Sequence, residues 1–235
     1  MINAALQLSA DVERIEFSCP VVSVYNPLDY AWESHKKYLK KWANSSRIIL
    51  FMGMNPGPFG MAQTGIPFGD VAHVRDWIGI SEVIRKPLNE HPKRPIEGFN
   101  CRRSEVSGRR LWGFFKEQFG CPEYFFKSHF VFNYCPLVFI EASGKNFTPD
   151  KLTNSEAKSL FSLCDQHLRL IAEILEIKYL VAVGAFAETR ARKALGENSA
   201  IKVVRILHPS PASPLANKGW GAKALEQLKE NNIFL

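Results

Sequence analysis

Four apolar runs punctuate the chain, and each ends in a turn-forming or polar residue: Arg47–Met52, His129–Asn133, Lys178–Val183 and Ile201–Leu207. They are rich in Val, Ile, Leu and Phe and show no polar alternation. Runs of that kind predict strands of a parallel sheet covered on both faces. Between them the pattern turns helical. Thr153–Glu176 carries Leu160, Leu163, Cys164, Leu168, Ile171 and Leu175 on one stripe and opens with Thr153-x-x-Glu156, the spacing of a capping box. Leu28–Ala43, Ser107–Phe119, Phe186–Leu195 (stopped at Gly196) and Asn217–Asn231 read as further helices. Strands alternating with helices imply right-handed crossovers and an α/β chain in three layers, α/β/α. Pro87–Arg103 mixes Pro87, Pro92, Pro95 and Gly98 with Lys93, Arg94, Arg102 and Arg103. It reads as a basic surface loop, because core-forming sequence lies on both sides. The expectation is one domain over residues 1–235, with residues 1–25 a peripheral N-terminal segment and no internal repeat.

Composition narrows the class. A chain of 235 residues, 46% hydrophobic and 12% aromatic, sustains one sizeable core. A formal charge of +7 suits a polyanionic partner without requiring one. The five cysteines are scattered with no Cys-x-x-Cys pair, so neither zinc nor an iron–sulfur cluster has its usual local ligands. Their odd number reads as reduced thiols in an intracellular protein, with Cys135 and Cys164 as small core residues. Met1–Asp11 has no basic start followed by an apolar block, so no secretory leader is expected there, and no apolar stretch has the length of a bilayer span. Gly53…Gly57…Gly60 departs from the dinucleotide-binding spacing, and neither a phosphate-binding P-loop nor a Gly-x-Ser-x-Gly elbow occurs. No metal or cofactor is expected.

Two rigid segments follow the first and last apolar runs. Gly53-Met54-Asn55-Pro56-Gly57-Pro58-Phe59-Gly60 opens a long glycine-rich loop that continues to Gly69, and His208-Pro209-Ser210-Pro211 opens a proline-stiffened ridge. In open α/β sheets ligands bind beyond the carboxyl ends of the strands, so Asn55 and His208 are placed at the mouth of one site. Asn55 offers a donor and an acceptor without charge, suited to holding a water, and equally suits a simple Asn-Pro-Gly turn. Alternating prolines extend the ridge through Ala212, Ser213 and Pro214, and Ser210 and Ser213 can donate to phosphate oxygens. Asn133 has the paired donor and acceptor that read a base edge, or caps its own loop. Phe68 stacks on a base, or packs in the core. Ser143-Gly144-Lys145-Asn146 is a polar, basic loop that follows a phosphate backbone or is merely solvated.

Taken together, these residues resemble the single-strand-selective monofunctional uracil-DNA glycosylase family, within the uracil-DNA glycosylase superfamily. The matching segments run in the family's order: Gly53 to Gly65, Ile66-Pro67-Phe68-Gly69, Val74-Arg75-Asp76-Trp77, His91-Pro92-Lys93-Arg94-Pro95, Ser104-Glu105-Val106-Ser107-Gly108, Asn133-Tyr134-Cys135-Pro136-Leu137, His208-Pro209-Ser210-Pro211 and Ala216-Asn217-Lys218-Gly219-Trp220. They cover roughly Trp32 to Leu228. The resemblance implies an α/β/α fold around a four-stranded, largely parallel sheet. It implies hydrolysis of the N-glycosidic bond of deoxyuridine in single- and double-stranded DNA, with 5-hydroxymethyluracil also accepted, by a monomer that leaves an abasic site and needs no metal.

Carried over residue by residue, Asn55 positions the attacking water and His208 stabilises the departing base. Asn133 reads the uracil edge, Phe68 stacks on the ring, and the Met54 and Gly57 backbones line the pocket. Glycine-rich backbone at Gly57 and Gly60 leaves room at the pyrimidine C5. The segments Ser143 to Ala157 (Ser143, Lys145 and Asn146 among them) and Ala216 to Gly219 (with Asn217 and Lys218) would lie on DNA, as would Ser210, Pro211, Ala212 and Ser213 on the ridge. Some members carry an arginine directly after His-Pro-Ser-Pro; here that place is Ala212, so the ridge relies on Pro211, Ala212 and Leu215. The alternatives are a glycosylase of the same fold with another preferred base, such as mismatched thymine, hypoxanthine or xanthine, and a non-catalytic binder of lesions or abasic sites.

Overall fold

The computed structural model describes residues 1–233. Its central sheet has the order β3-β2-β6-β7, all parallel, where β2 is Ile49–Gly53, β3 His129–Asn133, β6 Tyr179–Val183 and β7 Lys202–Ile206. Every residue of β2 and β3 is buried, as continuous apolar strands must be when helices cover both faces. The four expected strands are present, each within two residues of its expected start. The capping box also forms: Thr153 Oγ1 accepts from the Glu156 amide while the Glu156 carboxylate accepts from the Thr153 amide, starting the Asn154–Ile174 helix. The helices Val106–Phe119 and Ala185–Leu195 lie where they were expected.

Two expected helices are each broken in two. Leu28–Ala43 becomes Pro27–Tyr30, capped by the Asn26 side chain, and Trp32–Trp42. Asn217–Asn231 becomes Pro214–Asn217, capped by Ser213, and Trp220–Glu230. In each case a proline upstream of the expected start, Pro27 one residue before Leu28 and Pro214 three before Asn217, begins a short turn of its own, because its fixed φ suits a first helical position.

A second sheet of order β1-β4-β5, antiparallel throughout, was not anticipated. It comprises β1 Val21–Tyr25, β4 Val138–Glu141 and β5 Asn146–Phe147. Residues 1–25 are therefore not peripheral. The helix Ile2–Val12 buries Ala4, Ala5, Leu8 and Val12, spaced to share one face, and packs on the Asn154–Ile174 helix. Tyr25 at the end of β1 is 1% exposed. One contiguous apolar core takes in residues from Ala4 to Ile233. It is dense in aromatic rings, including Phe51, Phe115, Phe125 and Trp112, packed edge-on and tilted at 4.3–6.3 Å. That core fixes the four parallel strands in register, so their carboxyl ends open along one edge of the sheet.

Candidate active site

At that edge, Gly53 of β2 stands beside Asn133 of β3 in register. The two loops that follow remain laced together, with Tyr134 N donating to Gly53 O and Cys135 N to Met54 O, both at 2.9 Å. The Asn55 side chain reaches across this seam, where Nδ2 donates to Leu137 O at 3.1 Å. With one of its two N–H groups engaged there, Oδ1 is left as the acceptor. Further along, Gln63 is 2% exposed and its Nε2 holds Pro58 O at 3.0 Å, which fixes the far end of the same loop.

Phe68 sits in the left-handed region with φ 54°. For a bulky aromatic residue that is a strained conformation, of the kind that persists at ligand sites when its surroundings over-determine it. Those surroundings are visible. Asp70 N donates to Phe68 O at 2.7 Å, Gly69 N to Ile66 O at 2.9 Å, and Trp112 Nε1 to Pro67 O at 3.1 Å. The Phe68 ring lies 6.4 Å from the His208 ring, centroid to centroid, tilted by 42°.

His208 follows β7 by two residues. Its approach is fixed by Trp220 Nε1, which donates to Leu207 O at 2.6 Å, and by Leu207 N, which donates to Gln227 Oε1 at 2.8 Å. Burial alone pushes the His208 pKa down to about 4. The imidazole is therefore neutral at physiological pH, with one N–H donor and one acceptor nitrogen. The ridge behind it is pinned by Arg110, whose Nη1 donates to the carbonyls of Pro209 and Ser210 at 3.1 and 3.2 Å.

These elements enclose a cavity of about 390 Å³. Met54, Asn55, Gly57, Phe68, Asn133, His208, Ser210 and Pro211 line it, so the loop after β2, Phe68, the end of β3 and the start of the ridge converge. Gly60 is not part of the wall but abuts the stem of Glu105, which is. Asn146, expected on DNA, lines the cavity instead, and its Oδ1 is buried without a protein partner. Ser143, Lys145, Ala212, Asn217 and Lys218 stand outside the wall and are exposed. Ser213 Oγ accepts from Ala216 N as a helix cap, and Ser210 Oγ accepts from Ala212 N, leaving each hydroxyl proton available. Asn217 spends both ends of its amide within the chain, on Arg110 and on Pro211 O.

Thr148, from the segment expected on DNA, also lines the cavity, as do Pro56, Pro58, Glu105 and Ser107, to which no role was assigned from sequence. Glu105 is the informative omission. Burial pushes its carboxyl pKa up, against the backbone N–H groups of Phe59 and Ser107, which pull it down. A Cβ on Gly57 would lie 2.3 Å from Glu105 Oε2, and one on Gly60 would lie 2.8 Å from Glu105 Cγ. The glycines of the loop thus make room for this carboxyl. Its amide is anchored in turn by Asp70 Oδ1 at 3.1 Å. The glycine spacing was the available signal, since a loop stripped of side chains needs something to pack into it.

The wall combines a flat aromatic face, a neutral imidazole donor, an amide acceptor free to hold a water, and a second amide at Asn133. Asn133 Nδ2 donates only to the thioether of Met61, at 3.3 Å, and a thioether is a weak acceptor. Such a wall suits a planar heterocycle with carbonyl and N–H groups. Among the described residues no cluster of three or more His, Cys, Asp or Glu side chains is placed to hold a metal ion. No helix among them is long and apolar enough to cross a membrane.

Comparison with known proteins bears directly on this cavity. A family model described as the uracil DNA glycosylase superfamily matches residues 41–229. The single-strand selective monofunctional uracil-DNA glycosylase of Rattus norvegicus is 49% identical over 234 residues, spanning 99% of this chain and 84% of that protein. The proteins of the same name from Mus musculus and Bos taurus are 49% and 48% identical over the same length, spanning 84% and 86% of those proteins. The crystal structure of wild-type SMUG2 from Pedobacter heparinus has a TM-score of 0.66 at 20% identity and covers 97% of this chain and 98% of that one. That last likeness is one of fold.

Proposed function

The chain belongs to the single-strand-selective monofunctional uracil-DNA glycosylase family, and on that premise we infer that its cavity takes an extruded deoxyuridine from DNA and hydrolyses the N-glycosidic bond. The products are an abasic site and free uracil, the first step of base excision repair. Single- and double-stranded DNA both serve, since unstacking one base costs a few kcal/mol and less in a single strand.

Breaking the bond places negative charge on the base and positive charge on the sugar. A site gains rate from contacts that strengthen only as those charges appear. His208 is positioned as an oxyanion donor: its neutral imidazole gives an N–H to the base O2 as charge builds there. What supports this is its place in the cavity wall and a pKa of about 4, which keeps it uncharged before the reaction. Asn55 positions the water. An amide takes no proton at neutral pH, so its contribution is orientation; the Leu137 carbonyl holds the nitrogen and leaves Oδ1 to accept from the nucleophile. Phe68 stacks on the extruded ring, and Asn133 pairs with its edge. Product release needs no lyase step, and no lysine lines the wall to form a Schiff base.

5-Substituted uracils such as 5-hydroxymethyluracil are included in the substrate class. The space over Gly57 and Gly60 is taken by the Glu105 side chain, so the wall meets a 5-substituent there with a polar carboxyl and not with an empty glycine gap. The ridge supplies the wedge for duplex DNA. Leu215 is 63% exposed beside it, an apolar side chain of the kind that enters a base step.

The observation that carries this reading is that Asn55 and His208, from loops after different strands, line one cavity together with Phe68, whose ring lies 6.4 Å from that of His208. Asn55→Ala and His208→Ala should each lower single-turnover uracil release from an oligonucleotide at least a hundredfold, on the order of one lost oxyanion donor. Affinity for an oligonucleotide bearing a tetrahydrofuran abasic analogue should change little. Near-normal release by either variant overturns the assignment.

A further inference from the structure

Phe59 lies between Pro58 of the cavity wall and Gly60, and two guanidiniums converge on its ring. Arg103 Cζ is 3.9 Å from the ring centroid and Arg94 Cζ is 5.5 Å from it. Among the described residues neither arginine pairs with a carboxylate. Arg94 Nε is buried with no hydrogen-bond partner, and its forked end makes one long bond, to Lys93 O at 3.3 Å. The chain therefore holds two like charges on one ring without supplying the counter-charge.

The arrangement is fixed from both sides. Gln63, which holds Pro58 O, also donates to Pro95 O at 3.1 Å, and its Oε1 accepts from Glu97 N and Gly98 N at 2.8 and 3.1 Å. Tyr25 Oη donates to Arg94 O at 2.8 Å. On the other side, Ser104 Oγ and Glu105 N both donate to Asp70 Oδ1, at 2.7 and 3.1 Å, so the backbone immediately after Arg103 cannot drift. Both loops are thus tied to the elements that shape the cavity. Lys93 extends the same flank, its Nζ donating to Ser143 O at 3.3 Å and bringing the Ser143–Lys145 loop alongside.

Planar guanidiniums held on an aromatic face present their N–H forks outward, a geometry that matches the oxygens of a phosphate. We propose that Arg94 and Arg103, braced on Phe59, form a binding site for one backbone phosphate of the DNA strand that carries the extruded nucleotide. The site stands on the flank of the cavity formed by the basic loops and is separate from the His208–Ser213 ridge. It gives the strand a fixed point next to the pocket even where no partner strand is present. This proposal rests on the reading of DNA as the substrate.

The test is salt-dependent binding of a single-stranded oligonucleotide carrying one tetrahydrofuran abasic analogue, measured by fluorescence anisotropy over a range of KCl. The Arg94→Gln/Arg103→Gln double variant should bind more weakly at low salt. Its plot of log affinity against log salt should be flatter by roughly 0.7, the effect of one lost phosphate contact on a single strand. The Arg94→Lys/Arg103→Lys variant keeps the charge and should keep most of the slope. Arg103→Gln alone, at an exposed side chain, should flatten it in the same direction. An unchanged slope in both Gln variants overturns the proposal, and so does equal flattening in the Lys variant, which would assign the effect to packing on Phe59. Failure of the wild-type protein to release uracil from the matching deoxyuridine oligonucleotide would overturn the glycosylase reading instead, and the two failures are read in different assays.

Discussion

Arg110 Nη2 donates to Asn217 Oδ1 at 2.7 Å, and the other end of the same amide donates to Pro211 O at 3.0 Å. With the bonds from Arg110 to Pro209 O and Ser210 O, three consecutive carbonyls of the ridge are held by one cation and one amide. The prolines stiffen this segment, and the Arg110–Asn217 pair fixes where it points. Arg110→Ala should therefore weaken the wedge more than the chemistry. Hydrogen bonds to a charged group contribute about 1.5–3 kcal/mol, so release from duplex DNA should fall roughly tenfold or more, with a smaller loss on single strands. Single-turnover rates on matched oligonucleotides, single- and double-stranded, check this. Equal losses on both would mean that the pair serves His208 and not the wedge.

Gly53 carries a close approach that no side chain can replace. A Cβ there would lie 2.5 Å from Phe68 Cζ and 2.6 Å from Asn133 Oδ1. The Phe68 ring and the Asn133 amide are thus gathered over the bare backbone at the end of β2. Neither neighbour can yield cheaply, because Phe68 is strained and braced and Asn133 sits in register on β3. Gly53→Ala should lower kcat/KM for uracil release at least tenfold, while the far-ultraviolet circular dichroism keeps its native form. Wild-type kinetics in this variant would place the base elsewhere in the cavity.

The contrast between Gly53 and Glu105 explains what a reading of the chain alone can reach. The four parallel strands were legible because each is a continuous apolar run, buried on both faces. The placement of Asn55 and His208 at one edge of the sheet was legible because each follows such a run within three residues. Strands β1, β4 and β5 were not. The burial of β1 follows no simple alternation and β5 has two residues, so their pairing depends on tertiary register and not on local pattern. The N-terminal helix hid for a related reason, since of its buried residues Ala4, Ala5, Leu8, Ser9 and Val12 only Leu8 and Val12 are strongly apolar, with Leu6 left 44% exposed. Glu105 stayed invisible because its burial depends on side chains missing from Gly57 and Gly60, far away in sequence. The split of the last helix was written in Ser213-Pro214, a cap followed by a first-turn proline, and the apolar periodicity beyond it masked that signal.

The state of His208 sets a pH signature. A histidine of ordinary pKa near 6.5 would begin to charge as pH falls below 7. Burial holds His208 down to about 4, so it stays neutral across the physiological range. The single-turnover rate should show no break near pH 6.5, and the imidazole resonances of His208 should not titrate between pH 8 and 5.5. Titration of those resonances with a midpoint near 6.5 would show that the ring is solvated and unfit for the donor role assigned to it.

The same physics, summed over the fold, makes the protein sensitive to mild acid. His35, His129 and His167, like His208, have pKa values lowered to about 4, in each case chiefly by burial. His35 and His129 have Nδ1 within 2.8 and 2.9 Å of the carbonyls of Gly65 and Phe125, and His129 Nε2 is buried without a partner. In the unfolded chain each of the four takes up a proton near pH 6.5, but in the folded chain only near 4. Between those values the unfolded state binds more protons, so stability falls as pH drops from about 6.5 towards 4 and is level with respect to these groups above 6.5. Each fully unmatched proton is worth on the order of 1.4 kcal/mol per pH unit. Glu105, with its pKa raised, opposes the trend through a single group. Urea midpoints should hold steady from pH 8 to 7 and then decline steadily to pH 4.5. In His129→Gln the same decline should be shallower by about one proton's worth, because one of the four buried imidazoles no longer resists charging. A midpoint that stays constant down to pH 4.5 would mean that these rings admit water and carry ordinary pKa values.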